Sequence, residues 1–211
     1  MWEKYEVTMT FEHRVCGSVP QSKELVPIWI KSRMPKNKPE NGMNAEELEQ
    51  EVLDTMQQEM EEKTTLGFQQ VAGTLAARGG TIKAHLKDCA NQIKDAIKPQ
   101  IKAFRAKIAN KVYVEDYWVQ FERDGKTINQ IDGSFEQPVH VMTPMGPRNA
   151  LKVIGYLEYP MFKFTLMLLP DKEITIDSVK HIFEYGSVHG YGGERGMGEG
   201  RYTFEITAVE G

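Results

Sequence analysis

His189-Gly-Tyr-Gly-Gly-Glu-Arg-Gly-Met-Gly-Glu-Gly-Arg-Tyr202 decides how the rest of this chain is read. Six glycines, Gly190, Gly192, Gly193, Gly196, Gly198 and Gly200, fall within eleven residues. Each one loses more backbone entropy on folding than any other residue would. So many together imply that something passes close to the main chain. Ahead of them, Thr175 or Asp177 can cap a helix that turns Val179, Ile182 and Phe183 inward. Behind them, Tyr202 to Ala208 reads as a strand. The order is therefore helix, glycine loop (186–201), strand. Amides in such a loop can cradle phosphate, and Arg195 and Arg201 can add charge-assisted bonds. Three known phosphate loops are excluded. No Gly-Lys-Ser/Thr follows, a dinucleotide fingerprint would open a helix rather than leave one, and a kinase loop has strands on both sides. Arg195-Gly196-Met197-Gly198 touches the start of an RNP1 pattern, but the aromatic positions fail. A plain connector is the alternative reading of the same residues.

Working outward, Tyr5 to Phe11 alternates with the period of a half-buried strand, and Leu25 to Lys31 suggests another extended segment. Ser32 to Gly42 is a loop by composition. Asn44, with Glu47 three residues on, starts a helix whose apolar positions are Leu48, Val52, Leu53, Met56 and Met60. The spacing predicts a second helix over Thr65 to Ala77, stopped by Gly79-Gly80. Thr81 then caps a helix carrying Ile82, Leu86, Ala90, Ile93 and Ile97 on one face and Lys83, Lys87, Lys94 and Lys98 beside them. Pro99 can open a further helix with Ile101, Phe104 and Ile108 inside and Lys102, Arg105 and Lys107 outside. Strands follow: Val112 to Val114, Tyr117 to Phe121, Thr127 to Ile131 after an Asp124-Gly125 turn, Pro138 to Met142, Leu151 to Tyr159, and Met161 to Leu169 beyond Pro160. The order suggests an α+β, ferredoxin-like β-α-β-β-α-β core, taken as one domain over 1–211. A helical insertion spans 40–111, with an acidic helix at about 44–62 and basic helices at about 81–109.

The composition, 40% hydrophobic and 27% charged, is that of an ordinary globular chain, and no apolar run is long enough for a membrane span. Met1 to Val7 lacks the basic start and apolar centre of a signal peptide. Cys16 and Cys89 have no metal-ligand spacing, which predicts a reducing cytoplasm and no disulfide framework. The net charge of -4 hides an asymmetry. Residues Glu40 to Glu62 hold nine acids and no Lys or Arg. Taking those nine from the 30 leaves 21 acids against 26 bases, a balance of +5. Arg78 to Lys111 alone carries nine bases and two acids. That pattern predicts a basic binding surface beside an acidic appendage, or two helix faces of opposite sign that pair within one protein.

The helix followed by Gly-x-Gly-Gly-x-Arg-x-x-Gly-x-Gly-Arg-Tyr and a last strand resembles the C-terminal glycine-rich loop of the RAMP superfamily. That superfamily includes the backbone and repeat-handling subunits of CRISPR effector complexes. Gly79-Gly80-Thr81-Ile82-Lys83-Ala84-His85-Leu86-Lys87 is similar to the segment of RAMP backbone subunits where a small-residue turn opens a basic helix facing guide RNA. The whole is similar to solitary phage-borne RAMP-like proteins. The two motifs cover about a quarter of the chain. The resemblance implies a modified RRM fold, RNA held through its backbone, and head-to-tail assembly along a guide RNA. The family's catalytic histidine or aspartate has no match here.

No catalytic residue, cofactor or metal is therefore expected. The residues expected to hold RNA are Arg78, Thr81, Lys83, Lys87, His189, Gly190, Tyr191, Gly192, Gly193, Arg195, Gly196, Gly198, Gly200 and Arg201. Among His13, His85, His140, His181 and His189, only His189, beside Tyr191 and Arg195, suits a metal-independent ribonuclease, with His13-Arg14 behind it. Asp171, Glu173 and Asp177 read as turn and cap residues rather than a two-metal site. Glu194 would repel phosphate and pair with a neighbouring arginine. Tyr191 is the favoured base contact over Tyr185 and Tyr202, while Trp29, Trp118 and Phe121 read as core or subunit contacts. The reading is an RNA-binding protein of the cytoplasm, in a bacterium or a phage-infected host. It assembles in several copies on a guide-type RNA that pairs with target DNA or RNA, and it has no membrane partner. The rival readings are a phage structural or assembly protein that oligomerises through its acidic and basic helices, and a ribonuclease using His189.

Overall fold

The computed structural model describes residues 2–21, 64–143 and 146–209. The acidic helix at 44–62, the extended segment at Leu25 to Lys31, the loop at Ser32 to Gly42 and Trp29 lie outside the described residues, as does the side chain of His140.

β1 (Glu3–Phe11) is central. It runs antiparallel to β13 (Met161–Leu168) on one side, with Val7 opposite Phe164, and to β14 (Tyr202–Ala208) on the other, with Val7 opposite Ile206. β7 (Val112–Val114) extends the sheet beyond β13. β9 (Glu122–Arg123) and β10 (Lys126–Thr127) add a small hairpin on the same side, closed by Asp124 and Gly125 at φ 52 and 73. Alternation puts Val7, Met9, Phe11, Phe162, Phe164, Leu166 and Leu168 on the buried face. Two helices, α1 (Gly79–Ile93) and α3 (Ile176–His189), supply the matching stripes: Ile82, Leu86, Cys89 and Ala90 from one, Val179, Ile182 and Phe183 from the other. α2 (Phe104–Lys111) follows α1 and buries Phe104 and Ile108. Taken as β1-α1-β7-β13-α3-β14, with sheet order β7-β13-β1-β14 and every pair antiparallel, the core is the ferredoxin-like β-α-β-β-α-β unit.

α3 begins as the sequence suggests. Thr175 and Ser178 form a reciprocal capping pair. Asp171 accepts from the amides of Glu173 and Ile174, the turn role expected of it, and pairs with Lys111.

The helix expected to open at Pro99 begins only at Phe104, and expectations for residues 65–81 fail in two places. Thr65 to Ala77 is not a helix. It forms β4 (Thr64–Gly67), β5 (Gln69–Val71) and β6 (Thr74–Arg78), and β5 and β6 are a hairpin turning at Ala72 and Gly73 with φ 49 and 81. Pairing of β6 with β8 (Trp118–Gln120), and of β4 with β12 (Gly146–Glu158) on one side and β3 (Val19–Pro20) on the other, overrides local helix propensity. The second failure is Gly79-Gly80, which opens α1 rather than ending a helix. A Cβ on Gly79 would sit 2.0 Å from the Asp116 carbonyl, so this start needs glycine for a close backbone approach. Thr81 is accordingly not the cap. Arg78 holds the N-cap position, and the Thr81 hydroxyl donates to its carbonyl at 2.7 Å. The basic helices are thus the first core helix and its successor rather than part of an insertion. A long hairpin, β11 (Gly133–Thr143) with β12, leaves the core between β7 and β13 and pairs with β2 (Arg14–Cys16) and β4.

Candidate nucleic-acid interface

The glycine stretch starts later than its glycines suggest, because α3 runs to His189 and takes Gly186 into its buried face. From Gly190 the chain doubles back on itself. The amide of Tyr191 donates to the carbonyl of Gly200 at 2.8 Å, Gly193 to Cys16 at 2.9 Å, and Gly200 to Arg14 at 2.8 Å. A Cβ on Gly200 would lie 1.9 Å from the Tyr191 carbonyl, at a φ of +77. A Cβ on Gly193 would lie 2.7 Å from that of Gly17. The backbone that passes close to these glycines, and to Gly190 and Gly192, is therefore the protein's own. This corrects the expectation that all six lie open to a ligand. Gly196 and Gly198 alone in the run have open space around them, and with Met197 they form an exposed crown. The amides of Gly192, Arg195 and Gly196 find no acceptor among the described residues.

Packing the two ends of the loop presses it against α1. Tyr191, 7% exposed, sits among Phe11, Phe162 and His85, and its hydroxyl meets that of Thr81 at 2.9 Å. Burial drives the phenol up to about 12. The ring is a spacer between loop and helix, so its expected role in stacking a base is withdrawn. Tyr202 is buried too, its hydroxyl 3.0 Å from His85 Nε2. Burial first, then the charges of Arg195 and His189, hold His85 down at about 3, so the ring is neutral and shares a hydrogen bond with the Tyr202 hydroxyl.

Arg195 crosses to α1. Its Nη1 lies 3.2 Å from Asp88 Oδ2 and 2.9 Å from His189 Nε2, and His189 itself is 3.3 Å from the same carboxylate oxygen. Burial of Asp88 acts the other way, but the bonds from Arg195 and His189 keep its carboxyl below the usual range. When Arg195 donates to His189, the lone pair of Nε2 is taken. When Nε2 carries the proton, it points to Asp88. Either arrangement occupies Nε2, so that nitrogen is not free to take a proton as a general base. Tyr185 stacks on His189 with ring centroids 5.3 Å apart. Glu194 pairs with Lys152 rather than with an arginine.

Between the loop, β6, the first turns of α1 and the β2 edge lies a groove of about 410 Å³. Val15, Ala77 and Ala84 line its apolar side, and Arg78, Thr81, Asp88 and Arg195 its polar side. Arg78 is exposed, its guanidinium 5.0 Å from the Tyr117 ring, and Arg201 is exposed beyond the loop. The structure thus brings Arg78, Thr81, His189, Gly192 and Arg195 together. It does not bring Lys83 and Lys87 with them. At about 100° per residue, these lysines project roughly 140° around α1 from the line of Thr81, His85 and Asp88. Lys83 Nζ lies 3.3 Å over the Tyr113 ring, and burial followed by the charge of Lys87 lowers its pKa. His13 stacks on Tyr159, and Arg14 reaches Glu199 at 3.8 Å, so neither joins the groove. Asp88 is what sequence reading missed. Only its place on α1, one turn beyond Ala84 and facing the loop, marks it.

No family model matches the chain, and no curated protein matches it in sequence. Among solved structures it is similar to a chain of a type III-B Cmr-beta complex bound to cognate target RNA. There the TM-score is 0.47 and the identity 10%, over 98% of this chain and 61% of that one. It is similar also to a chain of a type IV-B CRISPR complex, with a TM-score of 0.49 and 11% identity over 99% of this chain and 92% of that one.

Proposed function

We propose that the chain is a non-catalytic RNA-binding subunit that seats the backbone of a guide-type RNA in the groove between the glycine loop and α1. In this reading several copies line one RNA, and the RNA, by pairing, selects the target. The observation that carries it is the convergence on one groove of two arginines from separate elements, Arg78 and Arg195, with the amides of Gly192 and Arg195, which find no acceptor among the described residues. These groups suit phosphate oxygens: charge-assisted donors on two sides and backbone donors between them. None of them reads a base edge, which fits binding without sequence preference. Cleavage is not part of the proposal: His189, the favoured candidate base, is held by Arg195 and Asp88, and His13 stacks on Tyr159 away from the groove.

Filter binding of single-stranded RNA across a salt series tests this. Affinity should fall steeply with salt, and the Arg78→Ala/Arg195→Ala double variant should weaken binding and flatten the slope by about 1.4, at roughly 0.7 for each phosphate no longer neutralised. Wild-type affinity and slope in that variant would overturn the proposal.

A further inference from the structure

On the far flank of α1 a second groove, of about 790 Å³, runs between its C-terminal half and α2. Lys87, Lys94, Lys102 and Arg105 rim it, and the buried Ile101 and Phe104 lie along its floor. Asp95 is the acid in its lining. None of the four rim cations has an ion-pair or hydrogen-bond partner among the described residues. On the other side of α2, by contrast, Lys107 and Lys111 are held by Glu173 and Asp171. Four cations with no partner among the described residues, set around an apolar floor, fit an acidic partner with an apolar stripe better than a bare phosphate chain, which has no use for the floor. They also face away from the glycine-loop groove, so one RNA strand seated there does not neutralise them.

The same chain carries that complement. Residues 40 to 62 hold nine acids and no Lys or Arg. Leu48, Val52, Met56 and Met60 recur at helical spacing, and on a helical projection Glu46, Glu51 and Glu62 border them. We infer that the α1–α2 groove receives the acidic segment of a second copy of this chain. One groove and one segment per copy allow each copy to bind the next, so that the contact can propagate along an array. The inference stands on the second groove alone and does not need the RNA reading.

Reciprocal charge reversal tests it on the full-length, nuclease-treated chain by sedimentation velocity at low and high salt. One variant is Lys87→Glu/Lys94→Glu/Arg105→Glu, and the other is Glu46→Lys/Glu51→Lys/Glu62→Lys. Wild type should associate with rising concentration and dissociate in high salt. Each variant alone should associate at least tenfold more weakly, and an equimolar mixture should recover association, which also shows that both are folded. A wild type monomeric throughout, variants that associate like wild type, or a mixture that stays monomeric would overturn it. A groove variant that loses RNA while its association is unchanged would overturn it too, assigning the groove to a phosphate backbone.

Discussion

Replacing Asp88 with Asn should tighten RNA binding. In the free protein Asp88 holds Arg195 at 3.2 Å and His189 at 3.3 Å, so a phosphate must compete with a carboxylate for the same guanidinium. The Asp88 and Arg195 side chains are 41% and 36% exposed, so their pair is worth about 0.2–1 kcal/mol in solvent-screened surroundings. A phosphate drawn to Arg195 would also stand about 5 Å from the Asp88 carboxylate, a repulsion of about 0.8 kcal/mol in a water-like dielectric. Removing both favours the bound state by about 1–2 kcal/mol, or roughly five- to thirty-fold in Kd. Asparagine keeps an oxygen acceptor for Arg195 and so preserves the local geometry. Fluorescence anisotropy with one labelled single-stranded oligoribonucleotide at a fixed salt concentration reads the change. Arg195→Ala must move affinity the other way. An Asp88→Asn protein that binds no more tightly than wild type would refute the competition on which the reasoning rests.

Other outcomes follow from the same geometry. Gly200→Ala should cost at least about 2 kcal/mol in urea unfolding, given a φ of +77 and a Cβ placed 1.9 Å from the Tyr191 carbonyl, while Gly196→Ala, with nothing near its Cβ, should cost little. His85 has its folded pKa depressed to about 3 against about 6.5 unfolded, so its stabilising contribution is whole above pH 6.5 and is lost as pH falls from there towards 3. Unfolding at pH 5 should show a loss of roughly 2 kcal/mol that His85→Gln reduces. A loss of the same size in the variant would show that other groups carry it. Nitration with tetranitromethane should reach Tyr117 and Tyr159, 60% and 55% exposed, well before Tyr191 at 7%. Early nitration of Tyr191 that RNA suppresses would restore the discarded stacking role.

The core was legible where burial is one-sided. β1 and α3 each present one apolar face, and Thr175 announces its own cap, so period and capping chemistry suffice. Thr65 to Ala77 was not legible: its β5–β6 hairpin is local, but β4 and β6 are fixed by β12 and β8, partners far along the chain that no local window contains. Gly79 misled for a related reason. The carbonyl that requires it belongs to Asp116, which the chain brings close only after two helices and a strand. The site was half legible. Glycine enrichment located the loop, but composition cannot distinguish a glycine that admits a ligand from one that admits the chain's own backbone. The lysines at 83 and 87 looked contiguous with the loop because they share a helix with Thr81. Their place on the opposite flank depends on which face α1 turns to the sheet.

The central claim places RNA between Gly192 to Gly198 and the Arg78 to Ala84 turn. Ultraviolet cross-linking of bound RNA, followed by mass-spectrometric mapping of the adducts, tests it most directly. Adducts concentrated on peptides from those two stretches are the expected result. Adducts confined to the β11–β12 hairpin or to the α1–α2 groove, with both stretches clean, would contradict it.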